Sequence, residues 1–206
     1  MRKIGLFGGS FNPPHLGHLH LAKTVHDVLE LDEIKLIPAK KPPHKLSDNY
    51  ISEIDRFAMC EIISELYTWL VAENFELNQD RISYTYYTVK YFKNILPDAK
   101  LFLIIGGDML SSFQTWFKWQ EILKYVSLAC IAREDGEYEN LISCAEDLRQ
   151  FGEIFLINTQ SFAVSSTKIR KMIEKNENYS CYLPEKIVQY IRTRNLYTGS
   201  EVDCIR

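Results

Sequence analysis

His15 and His18 stand three residues apart behind a glycine turn, in the string Gly8-Gly9-Ser10-Phe11-Asn12-Pro13-Pro14-His15-Leu16-Gly17-His18. Gly8 and Gly9 let backbone come close to a phosphate, and Ser10 adds a hydroxyl. Two imidazoles three apart at a helix start face one way. Their ring nitrogens would reinforce the amide donors and positive end of that helix, which together make an anion site. The plainer alternative is a pair of histidines capping a helix on a glycine turn. His20 and His26 do not share the face and read as structural or surface residues. A metal reading of the H-x-x-H-x-H string has no nearby carboxylate or cysteine to complete it, and position 20 points well away from position 15. No metal ligand is therefore assigned.

Four other stretches carry reactive or charged groups. Lys40, Lys41, His44 and Lys45 concentrate positive charge beside Pro42 and Pro43, which suits clamping a phosphomonoester and equally suits a solvated surface turn. The stretch from Arg81, RISYTYYTV, alternates small hydroxyls with aromatics as a half-buried strand or helix start does. A run ending in Gly106-Gly107-Asp108 brings backbone and one carboxylate to a sheet crevice, as ribose hydroxyls require. Ser165, Ser166 and Thr167 open a helix with Lys168 and Arg170 just inside it, where hydroxyls are ordinary N-caps or anion donors.

The elements that must position these groups follow from periodicity. KIGLF at 3 to 7 reads as a strand, HLGHLHLAKTVHDVLEL as a helix with apolar spacing at Leu21, Val25 and Val28, and IKLIPA at 34 to 39 as a second strand. A strand-helix-strand unit of this length implies parallel pairing. Further strands are expected at 69 to 77, 101 to 105, 126 to 132 and 153 to 157. Helices are expected near 53 to 66, 84 to 95, 119 to 125, 139 to 150, 167 to 175 and 184 to 194. This alternation predicts an α/β, Rossmann-like doubly wound parallel sheet with helices on both faces and a small helical C-terminal part over 165–196. Residues 1–196 make one domain, and the tail 197–206 looks dispensable to its core. Ligands of such a sheet sit beyond the carboxyl ends of the strands, which points to the loops at 8 to 18, 40 to 45 and 106 to 119.

Bulk composition narrows the function. The 206 residues are 46% hydrophobic and 25% charged, with a net charge of −3. That balance gives no basic face for duplex nucleic acid, so any bound anion must meet a local cluster. Five cysteines, odd in number and far apart, fit neither a disulfide framework nor a zinc ribbon, and a reducing cytoplasm is the expected home. No apolar run approaches the ~18 residues of a membrane span, and no signal peptide is read at the N-terminus.

The glycine-histidine string is neither a dinucleotide fingerprint nor a P-loop, since no G-K-[ST] follows. It resembles the nucleotidyltransferases with the H-x-G-H signature, here His15-Leu16-Gly17-His18. Within that superfamily, GGSFNPPHLGHLHLA is similar to the bacterial nicotinate-mononucleotide adenylyltransferases, which make the dinucleotide precursor of NAD. The resemblance extends from Lys3 to about Leu196 through P-H-K at 43 to 45, S-Y-T at 83 to 85, Gly-Gly-Asp with Trp-x-x-Trp, and SSTKIR at 165 to 170.

The resemblance implies roles. Gly8, Gly9, Ser10, Phe11, His15, His18, Gly106, Asp108, Ser165, Ser166, Thr167 and Arg170 would bind ATP, with Asp108 on the ribose and the 165–170 segment on the phosphates. His44 and Lys45 would hold the mononucleotide phosphate, with Arg133 a further candidate. Tyr84, Thr85 and Trp116 would line the pyridine site, and the backbone amide of Phe117 would meet the nicotinate carboxylate. His15, His18 and His44 would serve catalysis, while Arg56 and Met59 match an R-x-x-M pattern read as structural support. Magnesium would accompany ATP without a protein ligand. The partners implied are ATP and nicotinate mononucleotide, not nucleic acid or membrane.

Rival readings lie close by. Transfer to nicotinamide mononucleotide or phosphopantetheine, and cytidylyl transfer to an alcohol phosphate, share the first signature, although the last two lack the P-H-K, S-Y-T and Trp-x-x-Trp set. A catalytically silent nucleotide-binding module is the alternative from another class. Ser165-Ser166-Thr167-Lys168 and Ser47-Asp48-Asn49 superficially match a penicillin-binding acyl-transferase, but their order is reversed and no K-T-G occurs.

Overall fold

Apolar runs without alternation become strands buried on both faces. They are β1 (Lys3–Gly9), β2 (Glu33–Pro38), β3 (Leu70–Ala72), β4 (Lys100–Gly106), β5 (Val126–Arg133) and β6 (Ile154–Thr159). In this computed structural model, which describes residues 1–40, 51–133, 138–160 and 164–198, the six strands form one parallel sheet in the order β3-β2-β1-β4-β5-β6. Parallel neighbours cannot be joined by a tight turn, so the chain crosses over through helices. These are α1 (Leu16–Leu29), α2 (Glu53–Ser64), α3 (Thr85–Ile95), α4 (Gly107–Ser111), α5 (Trp119–Leu123) and α6 (Tyr138–Arg149). After β6 come α7 (Ser166–Glu174) and α8 (Glu185–Thr193).

Two cores flank the sheet. Val25 of α1, Met59 of α2, Ile169 of α7 and Ile187 of α8 pack with Phe102 and Ile104 of β4 on one face. Val89 of α3, Leu110 of α4, Ile122 of α5 and Ala145 of α6 pack with Leu101 and Leu103 of the same strand on the other. Alternation along β4 thus feeds both cores, and each large apolar side chain so buried contributes about 1.5–3 kcal/mol. The expected doubly wound architecture, with helices on both faces, is the one observed. Among the described residues no helix is long and apolar enough to cross a membrane.

The order reverses between β1 and β4, which pair from Lys3 opposite Lys100 to Leu6 opposite Leu103. The loops leaving these two strands therefore open side by side, at the switch point where such sheets bind ligands.

Four expectations are corrected. Val28 is not part of the inner face of α1. It is 59% exposed, while Leu19, Ala22 and Val25 form the buried stripe one helical face around. The strand expected over 69 to 77 ends at Ala72, because β3 is an edge strand whose pairing with β2 stops at Ala72 opposite Leu36. The residues after it turn instead. A short helix, α4, follows Gly106 directly where none was expected. Finally, the tail does not become dispensable at residue 197: Tyr197 packs against the first core and donates its phenol proton to Asn12 Oδ1 at 2.8 Å.

Candidate active site

The site grows from the loop between β1 and α1. His15 is the N-cap of α1, and its backbone N–H donates to Nδ1 of His18 at 3.1 Å. With Nδ1 used as an acceptor, a neutral His18 imidazole carries its proton on Nε2. The two rings lie 3.7 Å apart between centroids at 32°. Gly17 is needed between them because a Cβ there would stand 3.0 Å from the His15 ring and 3.1 Å from Val164. Phe11 occupies the left-handed region at φ 45° with its ring buried, edge-on to His18 at 5.1 Å and to Phe7 at 5.6 Å. Its ring is thus a prop beneath His18, and Gly9 stays small because a Cβ there would meet that ring at 3.0 Å.

This loop is held by side chains from far along the sequence. Arg56, 1% exposed, donates from Nη1 to the carbonyls of Ser10 at 2.9 Å and Ala39 at 2.6 Å, bolting the ends of β1 and β2 together. The neighbouring Asp55 accepts from Ser52, Tyr190 and Arg194, which ties the start of α2 to α8. Burial alone would raise the Asp55 carboxyl, but the Ser52 and Tyr190 hydroxyls and the Arg194 guanidinium outweigh it and hold it below the usual carboxylate range. Arg170 Nη1 donates to the carbonyl of Asn12 at 2.8 Å and the Ser166 hydroxyl to that of Pro13 at 2.8 Å. The second segment is thereby brought beside the first. Thr167 Oγ1 accepts from Arg170 Nη2 at 3.3 Å, and Ser165 caps α7 by accepting from the Lys168 N–H at 3.2 Å.

A cavity of about 250 Å³ opens at the other side of the same loop. Gly8, Gly9, Ser10 and Gly106 border it at the strand ends, while Tyr84, Thr85, Trp116 and Phe117 border it beyond. A Cβ on Gly8 would meet nothing within 4 Å, so this glycine leaves open space. Phe117, 40% exposed, stands 5.0 Å from the Tyr84 ring and 5.9 Å from that of Tyr86. Lys118 takes the left-handed conformation at φ 55° and sets its ammonium 4.6 Å above the Tyr86 ring. Trp119 faces the second core, edge-on to Phe151 at 4.9 Å.

One wall thus gathers the loop-one residues, Gly106 and the aromatic group, and a second cluster gathers His15, His18, Ser166 and Arg170 around residues 12 to 17. Asp108 lies exposed in the first turn of α4, with Oδ1 where a Cβ on Gly106 would stand 2.8 Å away. His44 and Lys45 lie outside the described residues, as does the side chain of Arg133. Arg56 and Met59 are buried supports, as their pattern implied.

The family model described as "Cytidylyltransferase-like" matches residues 6–172. A probable nicotinate-nucleotide adenylyltransferase of Carboxydothermus hydrogenoformans is 36% identical over 197 residues, covering 95% of this chain and 98% of that protein. One from Clostridium perfringens is 33% identical over 199 residues, covering 96% and 98%. The chain belongs to the nicotinate-nucleotide adenylyltransferase family. The Plasmodium falciparum nicotinic acid mononucleotide adenylyltransferase, solved in complex with NaAD, shares the fold at a TM-score of 0.80 with 19% identity, over 97% of this chain and 99% of that one.

Within this member of the family, three residues at or near the site escaped the sequence reading. Glu76 and Ser83 border the cavity, and Tyr197 reaches the glycine-histidine loop. Ser83 adjoins the S-Y-T signature and was within reach. Glu76 sits in a run that reads as a strand, and Tyr197 in a polar tail, so neither carried a local signal.

Proposed function

We infer that this protein transfers the adenylyl group of ATP to nicotinate mononucleotide, giving nicotinate adenine dinucleotide and pyrophosphate in NAD biosynthesis. The observation that carries this reading is one cavity that runs from the glycine turn of β1 to a cage of Tyr84, Trp116 and Phe117. It joins a place for phosphate to a place for a flat ring.

The attacking group is a phosphomonoester with a second pKa near ~6, already mostly dianionic at neutral pH, so no general base is needed. The barrier falls through in-line positioning and through stabilisation of charge on the transferring and departing phosphates. In this reading His15 and His18 hold the α- and β-phosphates, with the Nε2 proton of His18 as donor. Ser166, Thr167 and Arg170 hold the leaving pyrophosphate, Ser165 caps their helix, and His44 with Lys45 holds the attacking phosphate. Asp108 receives the adenosine ribose, Trp116 contacts the pyridine, and the Phe117 amide meets its carboxylate. Magnesium would accompany the triphosphate, with no ligand assigned from this chain, and would supply charge neutralisation. The chain's groups beside it are N–H and O–H donors suited to phosphate oxygens rather than to the ion. The free thiols of Cys60, Cys130, Cys144 and Cys181 suit the cytoplasm as its place.

The test is to incubate the protein with ATP, magnesium and nicotinate mononucleotide and to follow pyrophosphate and dinucleotide together. Both should appear in equal amounts. ATP binding without pyrophosphate release would leave a silent binding module, and release only with phosphopantetheine would move the protein elsewhere in the superfamily.

A further inference from the structure

A carboxyl group stands in the wall of this otherwise apolar and hydroxyl-lined cavity. Glu76 lies in the turn after β3 and is 7% exposed. Its Oε1 accepts from the Thr88 hydroxyl at 2.6 Å, and the Ser83 hydroxyl supplies a second hydrogen bond. Glu76, Ser83 and Thr88 border the same cavity as Tyr84, Trp116 and Phe117. A carboxylate is the wrong group for holding phosphates, and among the described residues no ion pair accounts for it. Among the described residues, the charged groups on the elements around it are engaged elsewhere. Lys35 lies between Glu33 and Glu73 at 2.6 Å from each, and Lys40 pairs with Asp80 at 3.2 Å. Arg81 stacks over Tyr87 at 3.8 Å, and Lys118 stands over Tyr86 and pairs with Glu121 at 3.8 Å.

We propose that Glu76 selects the ring substituent of the second substrate. As the uncharged acid it donates a hydrogen bond to an anionic substituent, a ring carboxylate. As the carboxylate it repels that substituent and tolerates a carboxamide. The inference rests on the adenylyl-transfer reading of the cavity and adds a residue that decides between two forms of the acceptor. Burial raises the Glu76 carboxyl to about 7 against the opposing pull of the Thr88 and Ser83 hydroxyls, so both forms are accessible near neutrality. A bound ring carboxylate favours the protonated form further, so nicotinate mononucleotide binding above that pH takes up a proton.

The experiment measures kcat/KM for nicotinate and nicotinamide mononucleotides from pH 6 to 9. Titrations of the shared phosphate and of the ATP site cancel in the ratio of the two. In the wild type, the preference for nicotinate should fall above pH 7 toward about tenfold per pH unit. Glu76→Gln, whose amide keeps a donor and an acceptor, should hold the ratio flat. Calorimetry at pH 8 in two buffers of different ionisation enthalpy should show uptake approaching one proton per nicotinate mononucleotide in the wild type and almost none in Glu76→Gln. A flat wild-type ratio overturns the proposal, even if the variant fails to fold. Equal proton uptake by a folded variant does the same. Dinucleotide from neither acceptor would instead overturn the adenylyl-transfer reading and this inference with it, whereas both dinucleotides at a constant ratio remove this inference alone.

Discussion

The loop from Ser10 to Pro14 is held by hydrogen bonds from Arg56, Ser166, Arg170 and Tyr197, whereas the far wall of the cavity is held by rings that meet Phe117 at 5.0 to 5.9 Å. Asn12 and His15 are buried in the first region, and Phe117 is substantially exposed in the second. Directional bonds to buried carbonyls fix where donors point. That is what stabilising a developing phosphate charge requires, because donors set beforehand need no reorganisation during the reaction. Ring contacts are softer in direction and suit recognition of a flat heterocycle by area and shape. In the adenylyl-transfer reading proposed above, the two regions would divide transition-state stabilisation from ground-state binding.

Substitutions can break that division, beginning with the largest effect. His18→Ala should lower kcat by at least ~100-fold, as loss of a transition-state donor does, with the melting temperature nearly unchanged. Turnover assays with thermal melts check both, and near-normal turnover would remove His18 from the chemistry. Arg56→Leu should cost ~3 kcal/mol of stability, because the carbonyls of Ser10 and Ala39 lose their donor in a buried place. Denaturant unfolding measures this, and an unaltered midpoint would show that the loop holds itself. Phe117→Ala should raise KM for the mononucleotide by ~10-fold while leaving kcat and the KM for ATP within a factor of ~3, since it removes binding area alone. A collapse of kcat there would place the chemistry nearer the rings than the division allows.

Glu76 complicates the softer region in an instructive way, because its raised carboxyl makes that wall sensitive to pH. The folded carboxyl binds its proton up to about pH 7, while an unfolded one releases it near ~4.3. Native protein therefore holds more protons between those values, and this group's contribution to stability falls as pH rises through the window, then levels off. Stability at the binding end is thus given up for selectivity, in contrast to Asp55, whose lowered carboxyl supports the fold at neutral pH.

Local chemistry along the chain was enough to determine the strand-helix alternation, the doubly wound class and the glycine-histidine loop at its first crossover. Those features depend on spacing within a few residues: apolar runs set the strands, and two histidines three apart share a helix face whatever surrounds them. Tertiary structure alone decided the rest. Val28 stays exposed on α1, and after Glu73 N–H bonds the Leu36 carbonyl the chain turns away although β2 runs on to Pro38, so neither departure is written in the local pattern. The support of the loop by Arg56, Arg170 and Tyr197 joins positions as much as 185 apart, and no local pattern records which carbonyl a distant guanidinium or phenol will reach. Glu76 is the sharpest case. Nothing in the run from 69 to 77 marks Glu76, and only when α3 and the segment before it bring Thr88 and Ser83 against it is burial of its carboxyl tolerated and its charge at the cavity wall a variable.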